Sequence, residues 1–364
     1  METLDGQDNL PRYFAQVFAL AQQMSQGRCD FVLPDGRVFR ATGAAPGPVA
    51  EIRIHNRDLF ARLIREGDLG FCDAYLDEWW STPDLQAFMD LVHADNEHIY
   101  DGFPGAGLLR SFEKLRFWMQ RNNRGQARKN ISYHYDLGNE FYGLWLDDTM
   151  TYSSALFEDG AQTSLEAAQT AKYDKLIDQM GAKPGDHVLE IGCGWGGFAE
   201  YAAKERGLRV TGLTISQEQF NYARQRIERQ GLSDLVDFKL QDYRDERGQY
   251  DGIASIEMFE AVGEKYWPVY FDTLRQRLKP GKTATLQIIT VADRRWKVYK
   301  RGVDFIQKYI FPGGMLPGGG PGLRRPFPAD VEFLPHFLRR GIRQWKLRRH
   351  ADYGEATGLI RTLT

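Results

Sequence analysis

Residues 188–198 read Val188-Leu-Glu-Ile-Gly-Cys-Gly-Trp-Gly-Gly-Phe198, an apolar stretch that runs into a glycine-rich turn and then into a helical pattern. Glycine adopts positive φ angles without strain and lets a ligand approach the backbone closely. Doubly wound α/β sheets bind their ligands at such a turn between a strand and a helix. The segment therefore predicts a ligand site at the end of a buried strand.

Further apolar runs follow this one at helix-sized spacing. The complete set is His187–Ile191, Arg209–Leu213, Val236–Leu240, Tyr250–Ile256 and Ala284–Ile289. Strands separated by helices favour right-handed βαβ units and a parallel sheet that is covered on both faces. The sequence thus predicts an α/β fold with a doubly wound, Rossmann-like sheet.

The first hundred residues follow another pattern, in which helical stretches alternate with the segment Cys29–Arg40. Its Pro34-Asp35-Gly36 supplies the turn of a β-hairpin. We predict a small α+β N-terminal domain over residues 1–107, a candidate for lipid association. Residues 131–317 form the predicted catalytic domain, and residues 318–364 form a tail.

Residues 108–130 form a predicted basic linker between the two domains. This stretch carries a single acid, Glu113, and the basic residues Arg110, Lys114, Arg116, Arg121, Arg124, Arg128 and Lys129. Basic residues with aromatic neighbours bind anionic lipid headgroups. A solvated helix face that merely connects the domains is the alternative interpretation.

Composition excludes several classes of protein. The 364 residues carry 47 Lys and Arg against 49 Asp and Glu, so the net charge of −2 argues against a nucleic-acid partner. Three widely spaced cysteines indicate neither a disulfide framework nor a metal site. We find no signal peptide and no membrane-spanning run. A cytoplasmic protein is expected.

The glycine turn differs from a dinucleotide-binding turn in two respects. Its spacing, Gly192-x-Gly194-x-Gly196-Gly197, is tighter than the dinucleotide pattern, and an acid, Glu190, precedes it. The second strand ends in Thr214-Ile-Ser216 and lacks the acid that binds a ribose in dinucleotide sites. Gln219, one turn into the next helix, is the candidate for the ribose hydroxyls.

Acidic residues also follow the third and fourth strands. Asp242 is placed to meet an adenine amino group, and Tyr243 to cover the ring. The stretch Glu257-Met-Phe-Glu260 reaches the same carboxyl edge, where such sheets bind ligands. Each acid on its own could be a solvated loop cap, but four strand ends that point to one crevice favour a binding site.

Several stretches together resemble the cyclopropane-fatty-acid synthases and the mycolic acid cyclopropane synthases. Beside the glycine turn they are Ile131–Phe141, Thr151–Ala155, Leu213–Gln219, Gln241–Arg244, Met258–Val262 and Tyr309–Pro317, with Leu69–Leu76 and Trp79–Leu85 nearer the N-terminus. The resemblance covers roughly residues 55–317. It implies a class I S-adenosylmethionine methyltransferase.

The activity that the resemblance implies is the addition of the methylene carbon of S-adenosylmethionine across a cis double bond of an unsaturated phospholipid. The product is a cyclopropane fatty acid, and a bound bicarbonate ion serves as the base. A peripheral enzyme at the inner membrane face is expected, with a homodimer as a candidate assembly. The alternatives are a fatty acid methyltransferase that gives a methyl branch, and a relative that binds lipid or cofactor without turnover.

Strand ends and resemblance together predict the site residues. The cofactor set is Tyr152, Ser153, Glu190, Gly192, Gly194, Trp195, Gly196, Thr214, Ser216, Gln219, Asp242 and Tyr243. For bicarbonate, the resemblance implies Glu260 and the backbone of Ile289. Ser154 stands where some members have cysteine, and Gln287 where they have histidine. His134 is expected near the same pocket, with a purely structural hydrogen bond as its alternative role.

The tail departs from the family pattern, because it shows no legible strands and only one tyrosine, Tyr353. We therefore expect uncovered sheet edges and no tyrosine for the bicarbonate. One hypothesis is a frameshift in the gene, since Ile342–Ala351 can be encoded by codons that, one base later, give Phe-Gly-Asn-Gly-Ser-Tyr-Ala-Asp-Thr. That peptide resembles the C-terminal region of the family, and sequencing the gene tests the idea.

Overall fold

The computed structural model describes residues 2–94, 138–157, 163–292, 295–296, 299–300, 302–318, 331–334 and 342–348. The chain divides into two compact units. The first contains the described residues of Met1–Arg116 together with Gly302–Phe305, and the second contains those of Phe117–Arg301 and Ile306–Thr364. The predicted linker, residues 108–130, and His134 lie outside the described residues.

The N-terminal unit is a four-stranded sheet with helices. Its elements are α1 (Phe14–Ala21), β1 (Gln26–Val32), β2 (Val38–Thr42), β3 (Ala45–Ile54), α2 (Leu59–Glu66), α3 (Asp68–Leu76), β4 (Trp80–Ser81) and α4 (Leu85–Ala94), with strand order β2-β1-β3-β4. Strands β1 and β2 pair antiparallel, with Asp30 opposite Arg40. The Gly36 N–H donates to Leu33 O across the turn at 2.9 Å. The predicted hairpin is confirmed.

An aromatic cluster forms the core of this unit. Phe14 packs against four other phenylalanines, Phe18, Phe31, Phe39 and Phe60, with ring centroids 5.1 to 5.9 Å apart. Such pairs contribute about 0.5–1.5 kcal/mol each beyond the burial of their area. The N-terminal α+β unit therefore has a hydrophobic core of its own.

The second unit contains a seven-stranded sheet. Its strands are β5 (His187–Ile191), β6 (Arg209–Thr214), β7 (Val236–Leu240), β8 (Tyr250–Ile256), β9 (Leu278–Ile289), β10 (Val331–Leu334) and β11 (Ile342–Arg348). The order is β10-β11-β9-β8-β5-β6-β7, and the strands β5 to β9 run parallel. Its helices are α5 (Gly138–Gly143), α6 (Leu165–Met180), α7 (Gly197–Lys204), α8 (Gln217–Arg229) and α9 (Trp267–Arg277). The predicted doubly wound α/β sheet is confirmed.

Local signals fix the ends of the helices. Helix α6 begins after Ser164, whose Oγ accepts the Ala167 N–H at 3.2 Å, and it ends at Gly181 with φ +70°. Helix α8 begins after Ser216, which accepts the Gln219 N–H at 3.3 Å. Each serine satisfies one of the N–H groups that the first helical turn leaves without a partner.

The strand order reverses between β5 and β8. Strand β5 pairs with β6 on one side and with β8 on the other, so the connections leave in opposite directions. A crevice opens at such a reversal outside the carboxyl ends of the strands. The glycine turn after β5 lies at this point.

The expectation that the tail lacks strands was wrong. Strand β11 pairs antiparallel with β9, with Ile342 opposite Ile289 and Arg348 opposite Thr283, and β10 pairs with β11. This edge of β9 is therefore covered. The seven residues of β11 contain neither glycine nor proline, so each supplies a backbone N–H for the ladder. The pairing of β11 with β9 depends on these backbone N–H groups. It does not require the alternation of polar and apolar residues by which a strand is recognised in sequence.

The described part of the chain contains no helix with the length and apolar character that crossing a bilayer requires.

Candidate active site

A cavity opens at the carboxyl ends of β5, β6, β7 and β8. Most of the residues predicted to bind a cofactor line it, namely Tyr152, Ser153, Glu190, Gly192, Gly194, Trp195, Thr214, Gln219, Asp242 and Tyr243. Two do not. Gly196 precedes α7 and packs against α8, and Ser216 caps α8. The roles of all twelve residues stay predictions, whereas the convergence of ten of them on one cavity is a fact of the fold.

The glycine turn has the backbone conformation that its sequence predicts. Gly192, Gly194 and Gly196 have φ angles of +83°, +51° and +85°. A Cβ at Gly192 would lie 2.8 Å from Met258 Cγ, whereas a Cβ at Gly194 would meet no protein atom within 4 Å. The open space above Gly194 is available to a ligand.

Glu190 ends β5 as a buried carboxyl group on the wall of the cavity. Its Oε2 atom is buried and has no hydrogen-bond partner among the described residues. Burial raises the pKa of Glu190 well above its usual range, and the charge of Lys172 opposes this rise. An orphan oxygen in a ligand cavity is a site for a donor of that ligand.

Thr214, Ser216 and Gln219 form one hydrogen-bonded group at the end of β6. The Thr214 hydroxyl donates to Gln219 Oε1 at 2.8 Å and accepts the Ser216 N–H at 3.1 Å. The bond from Thr214 fixes the Gln219 carbonyl. The NH₂ group of the same amide is able to donate to a ribose hydroxyl. This geometry suits the predicted role of Gln219.

Asp242 has a strong partner that the sequence did not reveal. Its two oxygens accept from the Arg244 guanidinium, Oδ1 from Nε at 2.8 Å and Oδ2 from Nη2 at 2.5 Å. The bidentate pair raises the pKa of Arg244. A carboxylate has further lone pairs, so Asp242 can still accept from an adenine amino group while Arg244 fixes its orientation.

Aromatic side chains form another wall of the cavity. Tyr142 packs against Trp195 with ring centroids 4.9 Å apart and against Tyr152 at 5.6 Å. The Trp195 indole N–H donates to Asn139 Oδ1 at 2.6 Å. Burial, and next the charge of Glu257, raise the pKa of Tyr152, so its ring stays neutral. This wall gives the cavity aromatic faces.

Glu257 accepts several hydrogen bonds on one oxygen. Its Oε1 receives the Ser154 N–H at 3.1 Å, the Ser154 Oγ–H at 2.7 Å and the Gln287 Nε2–H at 2.8 Å. Glu257 has φ +47°, a left-handed conformation that costs a non-glycine residue on the order of 1–3 kcal/mol. The surrounding contacts hold Glu257 in this position, and it lines the cavity.

Lys172 supports the same group from α6. Its side chain is fully buried, and Nζ donates to Ser154 O at 3.0 Å. Burial lowers the pKa of Lys172 to about 7, and the charges of Glu257, Asp147 and Glu190 oppose this lowering. The Lys172 amine, which carries its charge only in part near neutral pH, therefore contacts the serine that binds Glu257.

Glu260 and Ile289 bind each other. The Ile289 N–H donates to Glu260 Oε1, while Glu260 Oε2 is buried without a partner among the described residues. Burial and then the charge of Glu257 raise the pKa of Glu260 to about 8, against the effect of the Ile289 N–H. Near neutral pH, Glu260 is therefore mostly protonated. We call Glu257 and Glu260, the two acids after β8, the acid pair.

Three of the predicted catalytic residues, Ser154, Gln287 and Ile289, bind the two acids after β8, and a fourth, Glu260, is one of those acids. His134 lies outside the described residues, so its role stays a prediction. Sequence reasoning noted Glu257 at the strand end but gave it no role, and it missed Lys172 and Arg244. The available signal for Glu257 was its place directly after a strand at the ligand edge.

Known proteins are similar to this chain in sequence. The model of the mycolic acid cyclopropane synthetase family matches residues 122–320. Tuberculostearic acid methyltransferase UfaA1 of Mycobacterium tuberculosis is 39% identical over 332 residues, which cover 85% of this chain and 75% of that protein. Cyclopropane-fatty-acyl-phospholipid synthase of Escherichia coli K12 is 39% identical over 284 residues, which cover 76% of this chain and 68% of that protein.

A solved structure is also similar. The cyclopropane synthase MmaA2 from Mycobacterium tuberculosis is 32% identical, and the match covers 52% of this chain and 70% of that one with a TM-score of 0.49. The strand order of the sheet, rather than this superposition, establishes the fold of the second unit.

Proposed function

The chain belongs to the mycolic acid cyclopropane synthetase family, and we propose that it adds the methyl carbon of S-adenosylmethionine across a cis double bond of a phospholipid acyl chain to form a cyclopropane ring. Family membership makes it an S-adenosylmethionine-dependent methyltransferase that acts on lipids. The observation that carries the finer proposal is a cavity whose walls combine the glycine turn, the aromatic side chains of Tyr152 and Trp195, and the acid Glu257.

The residues of the cavity fit S-adenosylmethionine. Glu190 offers an orphan acceptor, Gly194 leaves open space, and Gln219 presents an NH₂ group. When bound, the cofactor supplies a methyl group on a sulfonium centre, which a double bond can attack. The chain's own residues orient that cofactor and shield the site from water.

Attack by a double bond leaves a carbocation on the acyl chain, and the aromatic wall suits it. Ring faces attract a nearby cation by about 0.5–2 kcal/mol, and they offer no nucleophile that could trap it. Tyr152 lines the cavity and packs on Tyr142, which is buried. The remaining step is removal of a proton, which requires a base.

Product analysis tests the proposal. The purified chain is incubated with S-adenosylmethionine and vesicles of unsaturated phospholipid, and the fatty acids are analysed by mass spectrometry and proton NMR. A gain of one CH₂ per double bond with cyclopropane signals supports the synthase. Release of S-adenosylhomocysteine without a ring product contradicts ring closure, and no release at all contradicts turnover.

A matched pair of glycine variants tests the cofactor site. Gly194→Ala and Gly185→Ala both place a side chain at positive φ where no protein atom lies within 4 Å, but only Gly194 lines the cavity. Both variants introduce backbone strain of the same kind, because alanine is unfavourable at positive φ. We expect calorimetry to show at least tenfold weaker S-adenosylmethionine binding for Gly194→Ala and unchanged binding for Gly185→Ala. Equal affinities would contradict the assignment.

A methyl-branched product is the second candidate. It is favoured by the relative UfaA1, named a tuberculostearic acid methyltransferase, whose alignment covers 85% of this chain. Loss of a proton from the acyl chain instead of the new methyl group gives a methyl-branched alkene with the mass of the ring, which NMR distinguishes. A saturated branch is two hydrogens heavier and needs a separate reductant.

Exposed apolar side chains support peripheral contact with the lipid. Phe141, Leu144 and Trp145, at and after the end of α5, are 41%, 82% and 48% exposed. Exposed aromatic and aliphatic residues insert into the boundary between headgroups and acyl chains. We therefore place the entry of the acyl chain near this segment, and we retain a homodimer as a prediction.

A further inference from the structure

The proton acceptor of the reaction is the question that the proposed function leaves open. The resemblance implies a bicarbonate ion held by Ser154, Gln287, Glu260 and Ile289. The structure allows this expectation to be tested, because the donors of Ser154, Gln287 and Ile289 have partners that can be named, whereas Glu260 Oε2 has none among the described residues.

Bicarbonate does not fit the site as it stands. Ser154 has one hydrogen on N and one on Oγ, and both approach Glu257 Oε1, at 3.1 and 2.7 Å. The Gln287 NH₂ group approaches the same oxygen at 2.8 Å. The Ile289 N–H is taken by Glu260. The donors of Ser154, Gln287 and Ile289 that are expected for a small planar anion thus approach carboxyl groups of the chain itself.

The amide orientation of Gln287 strengthens this point. Its Nε2 faces only oxygen atoms, which are Glu257 Oε1 and, at 3.0 to 3.2 Å, oxygens of Ser153 and Ser154. A flipped amide would place its carbonyl against those acceptors, so the neighbours determine the orientation. Gln287 therefore acts as a donor to the Glu257 carboxylate.

We propose that the carboxylate of Glu257 occupies the bicarbonate position and is itself the proton acceptor. Turnover then does not require bicarbonate. This inference rests on the proposed function. Glu257 lines the cavity, and its Oε1 is held by three donors. Its left-handed φ of +47° is the strain expected where a side chain is forced into a functional position.

The proposed step balances without another reactant. A C–H bond of the transferred methyl group breaks, and its electron pair forms the last C–C bond of the ring. The proton moves to a carboxylate oxygen of Glu257, which becomes a neutral acid. Glu257 returns the proton to solvent after the product leaves. No oxidant or reductant is involved.

The surroundings favour one anion in the acid pair. Burial of its carboxyl group, and next the charge of Glu257, raise the pKa of Glu260 to about 8, so Glu260 holds its proton near neutral pH. Lys172, fully buried and bonded to Ser154 O, interacts favourably with the charge of Glu257. An added bicarbonate anion would instead face that charge directly.

Two variants of Glu257 make the test sharp. Glu257→Gly removes the carboxylate, frees the donors of Ser154 and Gln287, and relieves the left-handed strain, so it is expected to fold. Glu257→Gln also removes the base but keeps the space filled. A general base contributes about 100- to 10,000-fold to a rate.

Turnover is measured as S-adenosylhomocysteine release and ring product, with and without bicarbonate in carbonate-free buffer. For the unaltered chain we expect less than a twofold effect of bicarbonate. For Glu257→Gly we expect at least a 100-fold loss and at least a tenfold recovery with bicarbonate. Glu257→Gln should lose activity without recovery. A wild-type rate that falls when bicarbonate is removed would overturn the proposal.

A measurement of bicarbonate binding tests the role of Glu257 independently of the proposed function. Line broadening of ¹³C-bicarbonate in NMR, with S-adenosylhomocysteine present, should appear with Glu257→Gly and not with the unaltered chain or Glu257→Gln. Broadening by the unaltered chain would overturn the proposal even if no lipid product forms. A chain that releases no S-adenosylhomocysteine under any condition refutes the proposed function instead, and the bicarbonate titration still decides the present inference.

Discussion

Glu260 has a buried carboxyl oxygen and is influenced by a second acidic residue, and this determines how its ionisation is linked to folding. Its pKa is raised from 4.5 to about 8 in the folded chain, first by burial and then by the charge of Glu257. Between pH 4.5 and about pH 8, Glu260 keeps a proton in the folded state that it has lost in the unfolded state. The free energy of unfolding therefore falls as pH rises through this window, by up to about 1.4 kcal/mol per pH unit.

Glu260→Gln removes this titration while keeping a group of similar shape. We expect its free energy of unfolding, measured with urea, to depend less on pH than that of the unaltered chain from about pH 4.5 to about pH 8. The variant should gain stability relative to the unaltered chain as pH rises. Parallel curves for the two proteins would show that Glu260 does not hold its proton in the folded state.

The residues of the candidate site were predictable from sequence only where their signal is local. The glycine turn and the acids after each strand follow from chain order. The acceptor role of Glu257 depends on Ser154, which is 103 positions away in sequence, so no local pattern contains it. Lys172 was missed for another reason, since lysine is almost never fully buried without compensation.

At the scale of elements, two serine caps allow the stability of a helix to be separated from its role in binding. Ser164 caps α6 and Ser216 caps α8, with similar distances of 3.2 and 3.3 Å to the N–H that each accepts. Each substitution by alanine should cost about 1 kcal/mol. Ser216 Oγ accepts the N–H of Gln219 itself, which lines the cavity, whereas Ser164 Oγ accepts that of Ala167, which does not.

We therefore expect Ser164→Ala and Ser216→Ala to lower the Tm by similar amounts in thermal unfolding followed by circular dichroism. Calorimetry should show weaker S-adenosylmethionine binding for Ser216→Ala alone, because the start of α8 carries Gln219 into the cavity. Equal affinities for both variants would indicate that Gln219 does not contact the cofactor.

The segment after α5 makes a prediction about lipid contact. Leu144 is 82% exposed, and its replacement by glutamine should cost little folding stability. We expect Leu144→Gln to reduce co-sedimentation with phospholipid vesicles severalfold. Val49→Gln is the control, because Val49 is 49% exposed in the N-terminal unit and not part of this segment. Similar losses for both would locate the lipid contact elsewhere.

The elements of the fold were predictable to different degrees. Strands β5 to β8 were visible because each is a short apolar run between helical segments, and the hairpin of β1 and β2 was visible from its turn. The parallel pairing of β1 with β3 had no such signal, since it depends on contacts between separate segments. Strands β10 and β11 were missed for the same reason.

At the scale of the whole molecule, the tail completes the sheet without contributing to the described cavity. Among the residues that the structure describes, those that line the cavity all precede Gly263, whereas β11 pairs with β9 along Thr283–Ile289. Removing β10 and β11 would leave an exposed edge of buried, apolar sequence, which is a template for pairing between chains. The tail is therefore expected to affect stability and association more than cofactor binding.

Deletion of residues 331–364 tests this separation, with deletion of residues 349–364 as the control that retains both strands. We expect the longer deletion to lower the Tm and to increase light scattering on heating, because β9 loses its antiparallel partner. Affinity for S-adenosylmethionine, measured by calorimetry below the unfolding transition, should change less than threefold, because the cavity is formed by earlier residues. The shorter deletion should leave both properties unchanged. Loss of cofactor binding in the longer deletion, while its circular dichroism spectrum stays folded, would show that the edge strands shape the site as well as the sheet.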